Sequence, residues 1–218
     1  MLNEQESIAH TLEAIRRGAA RAELIVVDGG SIDDSVAIAE RFADRIITSP
    51  RGRAVQMNAG ARMAIGDALA FVHADTIVPA TFAADIERAL ADSRVVGGRF
   101  DLELDQRDLL FRLIGWLISH RSRISRTATG DQAIFVRRSI FDQLGGFPAI
   151  DLCEDLEFSR RLKRAGTVAC LSSRVITSAR RWRQQGLVRT ILCMWLIRGL
   201  YLMGVAPARL RRMYADSR

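Results

Sequence analysis

Over the first hundred residues, apolar positions come in short blocks separated by polar turns. Ile8, Leu12 and Ile15 recur at helical spacing across residues 7–20. Residues 24–27 form a continuous Leu-Ile-Val-Val run, as in a strand buried on both faces of a parallel sheet. The run stops at Asp28-Gly29-Gly30, a turn. Ser31 with Asp33 and Asp34 then reads as the capped, acidic start of a helix reaching about Ala43. The cycle repeats: a strand at 45–48, a turn at Pro50-Arg51-Gly52 and a helix at 54–64, then a strand at 68–72 and a helix at 79–91. Strands alternating with helices of this length predict an α/β fold, a mostly parallel sheet with helices on both faces.

From residue 95 the pattern changes. Phe100, Leu102 and Leu104 alternate with Arg99, Asp101 and Glu103, which predicts a half-exposed antiparallel strand. Residues 109–120 form an apolar helix followed by Arg121, Arg123 and Arg126. A strand at 132–136, a short helix at 139–144 closed by Gly145-Gly146, and a helix at 153–165 with Gly166 at its C-cap come next. Short strands are expected at 168–171 and 175–176. With no internal repeat or low-complexity linker, the second half is expected to continue the same sheet. The chain divides into a domain over 1–186 and a basic amphipathic helical segment over 187–218.

Length and composition admit one domain with its own core: the chain has 218 residues, 49% of them hydrophobic. Its three cysteines, Cys153, Cys170 and Cys193, are widely separated, which excludes a disulfide framework or zinc knuckle and points to a reducing cytoplasm. Residues 1–23 carry four glutamates and no long apolar core, so no signal peptide is expected. Charge is uneven. Residues 1–109 hold 12 arginines and 18 acids (−6), residues 110–159 six of each sign, and residues 160–218 fourteen basic residues against one acid (+13). That excess suggests an anionic partner, either membrane surface or nucleic acid. Arginine enrichment by itself, with Lys163 the sole lysine, also fits genome composition.

In α/β sheets, ligands sit at the carboxyl ends of the strands. Asp28 ends the run 24–27, and His73 and Asp75 follow the run 68–72, so two acids from different strands are expected in one crevice. Each also has a purely local reading: Asp28 shaping the Gly29-Gly30 turn, Asp75 capping the helix near Pro79. A Walker or dinucleotide phosphate loop is absent, since Asp28-Gly29-Gly30 lacks the required glycine spacing and lysine. Arg51, Arg53 and Gln56 lie at the start of a helix whose amides can meet an anion, or simply on a solvated face. A second acidic cluster, Asp151-Leu152-Cys153-Glu154-Asp155, opens a later helix, where acids are also merely stabilising by roughly 0.3–1 kcal/mol. His10, His73 and His120 cannot make a three-histidine zinc site by spacing, and no Ser-His-Asp or Cys-His pattern is present.

Taken in order, Leu2-Asn3-Glu4, Val26-Val27-Asp28-Gly29-Gly30-Ser31, Gly52-Arg53-Ala54-Val55-Gln56-Met57-Asn58, His73-Ala74-Asp75, Gly130-Asp131-Gln132 and Glu154-Asp155 resemble a family 2 inverting glycosyltransferase with the GT-A nucleotide-sugar fold. The small bacterial subgroup carrying His-Ala-Asp-Thr and Gly-Arg-x-x-Gln-Met-Asn is the most similar. The resemblance runs over nearly the whole chain. It implies a nucleotide-diphosphate sugar donor contacted by Asn3, Glu4, Asp28, Arg53, Gln56, Asn58, His73, Asp75 and Arg181. It implies Mg2+ or Mn2+ on Asp75, the last aspartate of a motif whose first aspartate is here His73. It further implies Asp155 as the base that activates the acceptor, with Glu154 its alternate, and an acceptor side formed by Gly130, Asp131, Gln132 and Trp182. Arg180-Arg181-Trp182 resembles a degenerate basic-aromatic motif; a surface cluster with a packing tryptophan is the competing reading.

Similar proteins place an apolar strand immediately before the Asn-Glu pair. Here the chain opens Met1-Leu2-Asn3-Glu4, so the sheet is expected to lack that first strand and the start to lie too late. Residues 190–206 are apolar but interrupted by Arg198, too short for a spanning helix. With Arg209, Arg211 and Arg212 beyond, they suit a helix lying on an anionic membrane, as do residues 109–118. A lipid, carotenoid-like or polyprenyl acceptor with a hydroxyl or carboxyl group, and peripheral placement at the inner face of the cell membrane, would follow. The competing arrangement packs both helices on each other or in a homodimer. Two other functions stay open: a catalytically weak nucleotide-sugar binding protein, and a nucleic-acid binder, ranked last because no recognition helix or RNA motif is evident.

Overall fold

The computed structural model describes residues 1–106 and 108–216. In the first half the predicted blocks become α1 (Ile8–Gly18), β1 (Ile25–Asp28), α2 (Ser35–Ala39), β2 (Arg45–Thr48), α3 (Arg53–Met63), β3 (Ala68–Phe71), β4 (Thr76–Ile77) and α4 (Phe82–Leu90). The helix expected from Ser31 shrinks to α2. Asp33 takes the Ser35 amide and hydroxyl at 3.1 and 2.5 Å, while the Ser31 hydroxyl turns back to Asp28 at 2.6 Å. The second half gives β5 (Val95–Leu104), α5 (Leu109–Ser125), a 3-10 turn at Gly130–Gln132, β6 (Ile134–Arg137), α6 (Arg138–Gln143) and α7 (Glu154–Ala165). The two short strands expected at 168–171 and 175–176 are one strand, β7 (Thr167–Thr177). Its register against β5 jumps between Phe100–Leu171 and Asp101–Arg174, a bulge that breaks the apolar alternation at Ser172-Ser173. Three further helices follow: α8 (Arg180–Gln185), α9 (Leu187–Leu202) and α10 (Pro207–Asp216).

The main sheet has the order β3-β6-β5-β7-β4, and β1 pairs with β2 in a separate parallel ribbon. Within the main sheet β5 and β7 run parallel, whereas β3–β6, β5–β6 and β4–β7 are antiparallel. The sheet is therefore mixed rather than mostly parallel. A central strand buried on both faces has the same apolar run in either direction, so the pattern could not distinguish them. The strand over 95–104, expected to be half exposed, is buried from Val95 to Phe100. Met1 makes main-chain bonds to the end of β1: its ammonium donates to the Val27 carbonyl at 2.6 Å and its carbonyl accepts from Gly29 at 2.9 Å.

Alternation along the strands sends side chains to two cores. Phe135 joins Phe100, Leu102 and Val175 beneath α1 and α4, where Ile8, Leu12, Phe82 and Ile86 are buried. Ile134 and Val136 face the other way, toward α3, α6 and α7. There Phe141, Phe147 and Phe158 make edge and tilted ring contacts, with centroids 4.4 to 5.8 Å apart. Truncating one of these rings would cost about 3–5 kcal/mol. The C-terminal helices also pack on the domain: Ile197 and Leu210 form an apolar cluster with Cys153, and Tyr201 donates to Glu157 at 3.0 Å.

Candidate active site

β1 ends at Asp28, and the sequence Asp-Gly-Gly-Ser folds back on that carboxylate. Asp28 is buried, yet three donors of its own turn reach it: Gly30 amide 2.8 Å, Ser31 amide 3.0 Å and Ser31 hydroxyl 2.6 Å. Desolvation pushes its pKa up, but these hydrogen bonds, with the Met1 ammonium, outweigh it and hold the carboxyl below its ordinary value. Asn3 sits over the same turn, its amide donating to the Ser31 hydroxyl and its side-chain oxygen accepting from Ile32, each at 2.9 Å.

β3 delivers the second acid. After Phe71 the chain makes a turn closed by the Thr76 amide on the His73 carbonyl at 3.1 Å, leaving Asp75 half-buried. Its environment is the reverse of that around Asp28. Burial, and then the charge of Glu4, raise its pKa; Asp131 adds to the rise and Arg180 opposes it. Glu4 itself is held by Arg180 at 3.0 Å and by the Ser7 hydroxyl at 3.0 Å. The guanidinium that meets the acidic cluster is thus Arg180, named in the basic-aromatic motif but not among the expected donor contacts, where Arg181 stood; the side chain of Arg181 lies outside the described residues. An unpaired basic residue between a strand and a short helix was the available signal, but spacing did not separate two adjacent arginines.

The 3-10 turn brings the acidic loop and α7 together. An ideal Cβ on Gly130 would lie 2.7 Å from His73 Nε2 and 3.8 Å from Asp155 Oδ2. A side chain here would displace the His73 ring, so Gly130 is the point where the His73–Asp75 loop and Asp155 come close. The Gly130 amide donates to Asp155 Oδ2 at 2.8 Å and the Leu156 amide to Oδ1 at 2.7 Å. Burial raises the Asp155 pKa against those two amides and Arg53, and Asp131 raises it further. Glu154, buried at the first position of α7, is pushed up to about 7 by burial and by Asp155. Cys153 just before it is left-handed (φ 67°), as are Asn3 (φ 52°) and Ala133 (φ 47°), each within one residue of a predicted site residue. Burial pushes the Cys153 thiol up to about 12, which leaves no thiolate nucleophile there.

The other predicted residues divide by what already holds them. The charge of Asp131 bears on both Asp75 and Asp155, and its Oδ1 is buried without a hydrogen-bond partner among the described residues. Gln132 is fully buried, bonded to Thr129 and the Phe100 carbonyl, and supports the turn rather than lining the cleft. Arg53 is exposed at the start of α3, and its charge bears on both Glu154 and Asp155. Gln56 donates to the Met1 and Val27 carbonyls at 3.0 and 3.2 Å. Asn58 uses both ends of its amide on the Phe147 backbone, at 2.8 and 2.9 Å. Trp182, expected as an acceptor-stacking ring, is buried in a cluster with Leu104, Ile114 and Ala179, which fits the competing reading of a packing tryptophan. Among the described residues no three His, Cys, Asp or Glu side chains form a metal cluster. A hard divalent cation still fits the chemistry here. Asp75 offers a carboxylate amid excess negative charge, and such ions take much of their coordination from substrate phosphates and water.

The family model described as glycosyl transferase family 2 matches residues 1–145. The chain resembles the crystal structure of S. aureus TarS, with TM-score 0.66 and 16% identity, over 88% of this chain and 38% of that one. It also resembles the mannosyltransferase PcManGT from Pyrobaculum calidifontis in complex with GDP-Man and Mn2+, with TM-score 0.70 and 19% identity, over 100% of this chain and 67% of that one. TarS 1–349 in complex with UDP-GlcNAc matches at TM-score 0.60 and 17% identity, over 82% of this chain and 56% of that one. At such identities the likeness is one of fold. The chain thus spans less than half the length of TarS. No curated protein matches it.

Proposed function

The chain belongs to glycosyl transferase family 2, with the GT-A fold, and from that premise we propose that it transfers a sugar, with inversion, from a nucleotide-diphosphate sugar to a hydroxyl or carboxyl acceptor. The observation that carries this reading is the meeting of His73, Gly130 and Asp155. It supports a reading in which the donor-side loop and an acceptor-side carboxylate share one cleft.

In this reading the donor's diphosphate lies by the end of β3, and Asp75 would hold a Mg2+ or Mn2+ ion that offsets the charge gathering on the leaving diphosphate. Arg180 balances the acids there, and Arg53 approaches the anion from the start of α3. Asn3 and Asp28 form the wall against the nucleoside. The acceptor oxygen attacks the anomeric carbon on the face opposite the leaving phosphate oxygen. Where the acceptor is a hydroxyl, its proton passes to Asp155 as the bond forms. The Gly130 and Leu156 amides orient that carboxylate and, with Arg53, favour its ionised form. Glu154, buried beside it, is the alternate base.

The test is Asp155→Asn. Turnover of a productive donor–acceptor pair should fall about a hundredfold to ten-thousandfold with donor affinity within about threefold of wild type. Equal turnover would overturn the role of Asp155; a wild type that binds donor and never turns it over would favour the binding-protein reading.

Peripheral attachment to an anionic bilayer belongs to the same reading. Among the described residues no helix is long and apolar enough to cross a membrane. α5 and α9 pack together through Ile114 and Ile191, yet each also presents an outward apolar stripe: Leu109, Leu113 and Trp116 on one, Val188, Leu192 and Trp195 on the other. Trp116 and Trp195 are 56% and 64% exposed. Exposed Arg112, Arg189 and Arg212 border the stripes, which suits an anionic interface. Flotation with phosphatidylglycerol-containing vesicles should carry the protein up, and Trp195→Glu should leave it at the bottom. A protein that ignores vesicles and dimerises in solution would show that a second copy covers the stripes instead.

A further inference from the structure

Each of the two helices that bear the apolar stripes also sends one arginine inward. Arg121 follows Trp116 and Leu117 by just over one turn on α5; Arg198 follows Trp195 and Leu196 on α9. Nε and Nη2 of Arg121 and Nη1 of Arg198 are buried and have no hydrogen-bond partner. Arg198 keeps one bond, to the Thr127 hydroxyl at 2.8 Å. The two guanidiniums repel each other, and Asp131 and Asp155 draw on Arg121 from the cleft side. Asp155 does not neutralise them by contact, since its two oxygens are turned to the Gly130 and Leu156 amides. Burial and this mutual repulsion lower the Arg121 pKa to about 10, and burial lowers that of Arg198.

Burying two adjacent cations with no carboxylate in hydrogen-bond contact at these nitrogens is costly, and folding would be better served by neutral side chains of the same size. The arrangement makes sense if a negative group completes it. We propose that Arg121 and Arg198 form an oxyanion subsite that holds a phosphate or carboxylate group of the acceptor next to Asp155. The guanidinium fork matches either group, with two parallel N–H donors on two oxygens. Because the same helices carry the outward apolar stripes, an acceptor with a charged head and an apolar chain could bind with its head at the arginine pair and its chain along the membrane. That the anion is the acceptor's rests on the transferase reading; that an anion binds there does not.

Thermal unfolding of the full chain in sodium phosphate, against sodium chloride at equal ionic strength, tests the site without any donor. Wild type should show a saturable rise of its midpoint in phosphate. Arg121→Gln with Arg198→Gln should need at least about tenfold more phosphate for the same rise. Arg164→Gln, which removes an exposed charge from α7, should behave as wild type. Arg121→Gln alone should unfold no earlier than wild type in chloride, because it removes a buried unpaired charge. A matching phosphate response in the double variant, an equal loss in Arg164→Gln, or an earlier unfolding of Arg121→Gln would each overturn the site.

Titration with a short-chain prenyl phosphate distinguishes the sources. Tighter binding than inorganic phosphate supports a lipid acceptor, and equal binding supports a small acid. Wild type that hydrolyses no sugar nucleotide, but responds to phosphate as described, would remove the acceptor assignment and leave the anion site standing.

Discussion

Asp28, the last residue of β1, and Asp75, in the turn that follows β3, both lie at the carboxyl end of a strand, and their surroundings are opposite. The first is saturated by the amides and hydroxyl of its own turn, which hold its pKa down. The second faces Glu4 and Asp131, and burial with those charges drives its pKa up. A carboxylate already satisfied by backbone shapes the chain; one kept among other acids waits for a cation. Sequence position alone could not tell these apart, because both aspartates follow an apolar run and precede a helix.

The comparison breaks most directly at Asp75. Asp75→Asn should cut turnover about a hundredfold or more with an unchanged or slightly raised unfolding midpoint, since it relieves like-charge repulsion. Asp28→Asn should instead cost about 2 kcal/mol of stability, measured by urea unfolding at pH 7, through its charge-assisted bonds. The sign follows from linkage. A carboxyl whose folded pKa is depressed stabilises above its ordinary value of 3.8, and that stability is lost as pH falls through the folded pKa. The difference between wild type and Asp28→Asn should therefore fade in strong acid.

Glu154 sharpens the contrast from the other side. Its folded pKa near 7 exceeds the ordinary 4.5, so the folded chain binds more protons between these values and loses stability as pH rises through that window. Glu154→Gln should stabilise the protein by about 1–2 kcal/mol at pH 8 and by nearly nothing at pH 5. The smallest effect is expected at Glu4. Glu4→Gln weakens a half-buried pair with Arg180 by roughly 0.5 kcal/mol and should bring the Asp75 pKa closer to its ordinary value, readable by carboxyl NMR.

Much of the fold was legible because β1 and β3 are built on short continuous apolar runs and β2 on Ile46-Ile47, each followed by turn residues. β4 was not, being two residues long and specified by its partner β7 rather than by its own composition. The bulge in β7 hid a single strand behind two serines, and strand direction left no trace in the periodicity. At the site, the acids and Gly130 could be read from motif order. The Glu4–Arg180 pair spans most of the chain, and the Arg121–Arg198 pair joins two helices far apart in sequence. Contacts of that range depend on how the helices dock, which local spacing does not encode. Arg198 did stand out as a charge inside an apolar run, and Arg121 as the first basic residue after one.

The central claim is that Asp75 serves the cation and donor while Asp155 serves the acceptor across the same cleft. Titrating Mn2+ by electron paramagnetic resonance in the presence of UDP or GDP, in wild type, Asp75→Asn and Asp155→Asn, addresses it most directly. The account predicts Mn2+–nucleotide binding within about threefold of wild type in Asp155→Asn and at least about tenfold weaker binding in Asp75→Asn. Equal binding in all three proteins, or equal loss in both variants, would contradict it.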